Sequence, residues 1–352
     1  MKSTKFIARL AMAAFFGVAA GTAADAQTAL RLLSQSQTNS TQFPIENAAV
    51  ERINGTAGLG VTVTRQEYQA LGLQMGDALR LVRAGTFDVI STQVGLASRD
   101  DPFVEGIDLI GVSTNMTELR AAVDAFREVF DRRIQERFAA KVLAVWPFGP
   151  QVFFCNQPIR TLDDLRGQKV RSFTPSMSQL IEALGATPVA LAFPEVYPAL
   201  QRGVANCGIT SPTSANTGRW PEVTTHLLPL SVSGSVQAHL ANLAWWNRLS
   251  APQQTALTAE FRRMENELWD LATTTNENAT ACSTGVAGAA CTVHTRYNMT
   301  LVQVSPADME RVRRVAQQTI LTDYAQRCAR VLPNCKQVWN DTVGRARGLQ
   351  IP

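Results

Sequence analysis

Strand-like and helix-like stretches alternate along this chain, and the alternation occurs twice. The first run begins with ALRLLS (29–34), which reads as a strand. FPIENAAVERING (43–55) reads as a helix, with Pro44 in its first turn, Ala48, Ala49 and Ile53 at helical spacing, and Asn54-Gly55 as a stop. GVTVT (60–64) is a strand, MGDALRLVRAG (75–85) a helix ending at Gly85, and TFDVIST (86–92) a strand. Near residue 150 the same grammar restarts: QVFFC and QKVRSF as strands, SMSQLIEALG (176–185) as a helix, ATPVAL as a strand, FPEVYPALQRG (193–203) as a helix and VANCGIT as a strand. Between the two units stand a helical pattern over 116–139 and the strand KVLAVW. This order predicts right-handed crossovers and parallel sheets, hence an α/β fold in two domains.

The C-terminal third is mostly helical. Pro252 opens a pattern that runs from 251 to 279, with Leu257, Phe261, Met264, Leu268 and Leu271 recurring at steps of three and four. A helix of that size is about 40 Å long at 1.5 Å per residue, enough to run across two domains. A second long pattern, 305–331, starts with Ser305-Pro306 and an acidic first turn at Asp308 and Glu310, the chemistry of a capped N-terminus.

The first residues set the compartment. Lys2, Lys5 and Arg9 precede the apolar run LAMAAFFGVAAG, and Ala24-Asp25-Ala26 is a small-residue cleavage pattern. Residues 1–26 therefore read as a secretory signal peptide cut near Ala26; the run is short for a membrane span. Its removal takes away three basic residues and one acidic one, so the formal charge falls from +4 to +2 (30 basic minus 28 acidic). The basic residues are scattered, which argues against a nucleic-acid partner.

An exported chain with six cysteines implies disulfides, of which fifteen connectivities are possible. Cys282 and Cys291 enclose the small-residue loop STGVAGAA, and Cys328 and Cys335 enclose ARVLPN with its Pro-Asn turn. Both loops close easily, which leaves Cys155 with Cys207. A metal site is the competing use, but there is no C-x-x-C pair, and only His294 follows a cysteine closely. No metal or cofactor is expected.

The chain is poor in catalytic constellations: no G-x-S-x-G, no H-E-x-x-H, no P-loop. GTAGLG (55–60) lacks the dinucleotide order and reads as a loop, and His226 and His239 read as core histidines. Arg171 stands out. It closes a predicted parallel strand, where open α/β sheets bind ligands, and a helix starts just after it at Pro175-Ser176. A helix N-terminus offers free N–H groups and a positive dipole end. A guanidinium fork suits a carboxylate. The alternative is an internal ion pair with Asp163, Asp164 or Glu195.

The stretch LRGQKVRSFTPSMSQLIEALGATPVALAFPEVYPALQRGV (165–204) resembles the core signature of the DctP-type solute-binding proteins of TRAP transporters. The pieces that carry it are Gly167, Lys169-Val170-Arg171, Leu184-Gly185-Ala186, Pro188-Val189, Glu195, Tyr197, Ala199-Leu200 and Gly203. GDALRLVRAGTFDV and the long helix after 250 agree with the same layout. The resemblance implies a two-domain periplasmic-binding-protein-like (type II) fold with a long helix spanning both domains. Residues 27–150, with part of 230–265, are then the first domain, and 151–230, with part of 266–352, the second.

The resemblance further implies a periplasmic receptor, not an enzyme, that captures an organic acid in the interdomain cleft and delivers it to a sodium-coupled membrane permease. Arg171 is the implied carboxylate ligand. The other implied cleft positions are Gln35, Ser36, Tyr68 and Gln93 from the first domain and Trp146, Phe148 and Gln151 from the crossover. Ser211 follows the NCGIT strand. Phe43, Phe173 and Trp220, with Tyr68, Trp146 and Phe148, make the candidate cleft aromatic and neutral, with core packing the expectation for roughly half of them. Three positions depart from the family pattern: Asn206-Cys207-Gly208 where Asp-Gly is frequent, Ser211-Pro212 where Asn-Pro is frequent, and Gln151 where members binding dicarboxylates or sialic acid often carry a second arginine. One arginine and an aromatic lining favour a monocarboxylate, aromatic or 2-oxo in body. A dicarboxylate receptor and a sensor module presenting ligand to a membrane kinase are the alternatives.

Overall fold

A computed structural model describes residues 27–35 and 41–352. The segment 1–26, read from sequence as a signal peptide, and Ser36 lie outside the described residues. The chain builds two mixed sheets wrapped by helices. The first uses β1 (Thr28–Ser34), α1 (Phe43–Gly55), β2 (Val61–Glu67), α2 (Ala78–Arg83), β3 (Val89–Gln93), α3 (Val94–Ala97), α4 (Met116–Phe138) and β4 (Ala140–Pro147). The second uses β5 (Val152–Cys155), β6 (Lys169–Ser172), α5 (Pro175–Ala183), β7 (Thr187–Ala190), α6 (Phe193–Gln201), β8 (Cys207–Thr210), α7 (Pro212–Thr217) and β9 (His226–Leu228). Then β10 (Val236–Asn242) returns to the first sheet, followed by α8 (Leu243–Trp246), α9 (Ala251–Ser283), β11 (Thr300–Leu301), α10 (Pro306–Val315) and α11 (Leu321–Ala329).

The strand orders are β2-β1-β3-β10-β4 and β11-β9-β5-β8-β6-β7. β1, β2 and β3 are parallel, as are β6, β7 and β8, but β10 runs antiparallel to both its neighbours, and so does β5. The expectation of purely parallel sheets is corrected here, for a topological reason. The chain leaves the first sheet on β4, re-enters it on β10 and leaves it again along α9 for β11. An outgoing and a returning strand laid side by side must oppose one another. The crossover segments continue that ladder: Phe148 N–H donates to Ser235 O (3.2 Å), Gly149 N–H to Gly234 O (3.1 Å) and Gln151 N–H to Ser233 O (2.8 Å).

The same correction applies to Cys155 and Cys207. They sit on neighbouring strands, but β5 and β8 are antiparallel, and the two residues are direct cross-strand partners with Cα atoms 4.0 Å apart. The bridges are Cys155–Cys207, Cys282–Cys291 and Cys328–Cys335.

α9 has 33 residues, about 50 Å at 1.5 Å per residue. Ser250 and Gln253 form its capping box, and Leu257, Phe261, Met264 and Leu268 form its buried stripe. At its N-terminal end Arg52 of α1 pairs with Glu260 (2.6 Å), and mid-helix Trp269 donates its indole N–H to Val145 O of β4 (2.9 Å). Two turns further on, Asn276 accepts from Thr213 N–H of α7 (3.1 Å). One helix therefore touches both sheet layers. α10 and α11 run on from each other through a single π-type turn, Ala316–Ile320. No described helix is long and apolar enough to cross a membrane.

Candidate functional site

Arg171 is the third residue of β6, an interior strand flanked by β7 and β8. It is 4% exposed. Nε donates to Leu191 O (3.1 Å) and Nη1 to Ile209 O (2.9 Å), so two backbone carbonyls hold the group flat. Its guanidinium carbon lies 4.6 Å from the Phe173 ring centre. Nη2 has no acceptor among the described residues. Burial pulls the guanidinium down to about 9, with the charge of Glu195 opposing, which leaves it cationic at neutral pH.

The three internal partners considered for Arg171 are engaged elsewhere. Asp163 pairs with Arg311 (2.7 Å), Asp164 accepts from the N–H groups of Arg160 and Thr161, and Glu195 accepts from Ala192 N–H (2.7 Å). The charge is thus buried without a paired carboxylate among the described residues.

The helix that follows does not offer an empty N-terminus, which corrects the reading of Pro175-Ser176. Pro175 has no N–H. Met177 N–H goes to the Thr174 hydroxyl (3.2 Å), and Ser176 N–H to Glu105 Oε1 (2.9 Å). Glu105, 2% exposed and preceding α4 in the chain, also accepts from Arg327 through Oε2 (2.9 Å). The chain's own carboxylate occupies the anion-favouring position.

Arg171 lines a cleft of about 930 Å³ between the two sheet layers. Of the other sequence-predicted residues, Gln35, Tyr68, Gln93, Phe148, Gln151 and Phe173 line it too. Tyr68 is locked through its O–H to Ser91 O (3.0 Å), and Gln93 caps α3 by accepting from Leu96 N–H (2.9 Å). Trp146 is one residue pair back. It meets Phe148 edge-on at 5.2 Å and donates its indole N–H to His239 Nδ1 (3.2 Å), in the core rather than at the wall. Trp220, 1% exposed, packs with Phe154 and Phe193 in a second core. A Cβ at Gly208 would stand 2.7 Å from its ring, so glycine there admits Trp220 beneath the strand. Phe43 lies under the Arg65 guanidinium (3.9 Å). Ser211 is fully buried as the cap of α7, and Ser214, one turn along, reaches the cleft instead.

Sequence reasoning missed other parts of the wall. The loop after Tyr68 contributes Leu73 and Met75, and the start of α6 contributes Leu191 and Phe193. Ser235 also lines the cleft, with φ +55°, a left-handed conformation rare for a residue with a side chain. No sequence signal marks it. Its neighbour Gly234, where a Cβ would stand 2.0 Å from a Leu119 methyl, is the nearest hint of a constrained crossover. No cluster of three or more metal-ligating side chains occurs among the described residues.

Known proteins agree with this architecture. The C4-dicarboxylate-binding periplasmic protein DctP of Rhodobacter capsulatus is 30% identical over 138 residues, 39% of this chain and 41% of that protein. The ectoine-binding periplasmic protein TeaA of Halomonas elongata is 30% identical over 132 residues, 37% and 38% of the two chains. The chain thus spans about two fifths of the length of these relatives. Among solved structures, DctP7 of Bordetella pertussis, an extracytoplasmic solute receptor binding pyroglutamic acid, superposes with TM-score 0.75 at 18% identity, covering 89% of this chain and 99% of that one. A TRAP periplasmic solute-binding protein of Desulfovibrio salexigens with bound orotic acid gives 0.74 at 19% identity, covering 90% and 99%. The family model for bacterial extracellular solute-binding protein, family 7, matches residues 72–320, well over half of the sequence, and the chain belongs to that family, the DctP-type TRAP solute-binding proteins.

Proposed function

We propose that this chain is the periplasmic receptor of a TRAP transporter, exported by its N-terminal segment. It captures a monocarboxylic acid in the cleft, clamped by Arg171, and hands it to a sodium-coupled membrane permease. The observation that carries this reading is the Arg171 guanidinium: buried, cationic, oriented by two carbonyls, and without a carboxylate partner among the described residues. A buried charge of this kind is costly unless paired, and a ligand carboxylate supplies the pair. Relatives support the ligand class. The Bordetella pertussis receptor binds pyroglutamic acid, the Desulfovibrio salexigens protein holds orotic acid and a Shewanella oneidensis protein holds succinate. The Phe148, Phe173 and Phe193 rings favour a flat or apolar body over a polyhydroxylated one.

The test is a thermal-shift screen of the mature protein against organic acids. A true ligand at 100 times its dissociation constant adds about 2.7 kcal/mol of apparent stability. No shift with any carboxylic acid would remove the reading, and tight binding of succinate would keep the clamp but move the ligand to the dicarboxylates.

A further inference from the structure

Gln151 sits where the chain first crosses between the sheets, and it is 2% exposed. Its backbone is held on both sides, N–H to Ser233 O (2.8 Å) and C=O from Val232 N–H (3.0 Å). Its side-chain nitrogen donates to Gly149 O (2.9 Å). A carbonyl oxygen only accepts, so this bond fixes which end of the carboxamide is nitrogen and turns Oε1 the other way. Oε1 has no donor among the described residues, and Gln151 lines the same cleft as Arg171. The cleft therefore holds a fixed, unsatisfied acceptor in addition to its free guanidinium donor.

Ser214 adds a second donor. Its Oγ accepts from the Ser211 hydroxyl (2.9 Å), while Ser211 Oγ accepts from Ser214 N–H (3.2 Å). The Ser214 proton is thus left for an acceptor in the cleft. Donors on the second-sheet side suit a carboxylate. The acceptor at the crossover suits the opposite chemistry.

We infer that the cleft selects monocarboxylic acids bearing an N–H or O–H donor that reaches Gln151 Oε1, against acids that present bare hydrocarbon or a second carboxylate there. The inference rests on Arg171 being the carboxylate clamp. A donor-bearing ligand satisfies both the guanidinium and the carboxamide oxygen. A donor-free acid strips water from Oε1 without replacing it, and a second carboxylate places oxygen against oxygen. Discrimination between a hydrogen-bonding ligand and its analogue lacking the donor is large at such sites, because the buried polar atom is then left unpaired.

The experiment uses matched acids that differ only in the donor: pyroglutamate against N-methylpyroglutamate, and mandelate against phenylacetate. Calorimetry on the mature protein is expected to show the donor-bearing member of at least one pair bound roughly tenfold or more tightly than its match. In Gln151→Met, close in length and without the acceptor, that preference is expected to shrink to within about twofold. Melting of the variant checks that it folds, and the wild-type comparison stands without it. Equal affinities within both pairs, each abolished by Arg171→Ala, would overturn the donor inference and leave the clamp intact. A preference that persists in Gln151→Met would overturn the assignment to this side chain. Binding of none of the four acids, or affinities indifferent to Arg171→Ala, would overturn the clamp and this inference with it.

Discussion

At the scale of single residues, the cleft is governed by charges that are buried and differently provided for. Arg171 is held by carbonyls and an aromatic face, which orient it without neutralising it. Arg171→Ala is expected to weaken binding of a carboxylate ligand about ten- to hundredfold, or about 1.5–3 kcal/mol. Arg171→Lys keeps the charge but cannot reach Leu191 O, Ile209 O and a ligand with one planar fork, so an intermediate loss is expected. Calorimetry on both variants reads the difference, and an unchanged affinity in Arg171→Ala would assign the arginine to the fold alone.

Glu105 is the contrary case, a buried carboxylate with both oxygens engaged. Removing it as Glu105→Ala strands Ser176 N–H and takes one of two carboxylates from Arg327, whose other partner is Asp323. A loss of about 2–4 kcal/mol is expected, read by urea unfolding. Glu105→Gln, which can still accept from Ser176, is expected to lose less.

At the scale of elements, α9 ties the two layers together, and the disulfide-bridged β5–β8 pair braces the second sheet. α9 presents Leu268 (1% exposed) next to Trp269, its contact to β4, and about two turns before Asn276, its contact to α7. Leu268→Pro removes an interior N–H bond and collides with the preceding turn, at about 3 kcal/mol or more before the lost side-chain packing is added. Because the break falls at the β4 contact and ahead of the α7 contact, melting temperature and ligand affinity are expected to fall together. A variant that melted and bound as the parent does would make the helix peripheral. The Cys155–Cys207 bridge spans 52 residues of sequence, and on the loop-entropy model it contributes about 4 kcal/mol. A non-reduced digest is expected to release a linked 155–207 peptide. Free thiols at both positions would exclude the bridge.

At the scale of the whole molecule, the returning crossover is pinned by Asp108. This carboxylate accepts from the Ser233 hydroxyl (3.1 Å), Gly234 N–H (3.3 Å) and Val236 N–H (3.1 Å). Burial raises it from 3.8 to about 6, against those hydrogen bonds, which lower it. An acid raised on folding binds its proton more tightly in the native state. Its contribution to stability is therefore fullest below pH 4 and is lost as pH rises through about 6. The shift corresponds to about 3 kcal/mol. Asp108→Asn cannot titrate, so its stability relative to the parent is expected to improve by about that amount between pH 4 and pH 7. Urea unfolding of both proteins at the two pH values reads the change. A constant difference would show that Asp108 does not titrate in this range.

The periodicity of the chain determined much of this. The helices expected from the sequence begin and end within a few residues of those bounds, because caps, prolines and glycines act locally: Pro44, Pro175 and Pro252 open α1, α5 and α9, and Gly85, Gly185 and Gly203 follow α2, α5 and α6, whereas the short α3, α7 and α8 were not expected. The direction of β5 and β10 was not legible, since it depends on the chain leaving the first layer after β4 and returning to it at β10. The cleft was legible only in part. Strand position singled out Arg171, and the family resemblance implied Gln35, Gln93 and Gln151, but neither says which side of the sheet a ring occupies. Trp146 and Trp220 turn into the core, one toward His239 and the other beneath Gly208. The anion-favouring end of α5 is likewise a local property, yet a carboxylate 71 residues away takes it. Local backbone chemistry set the elements. Which polar groups were satisfied internally, and which were left free for a ligand, depended on neighbours brought together only by the fold.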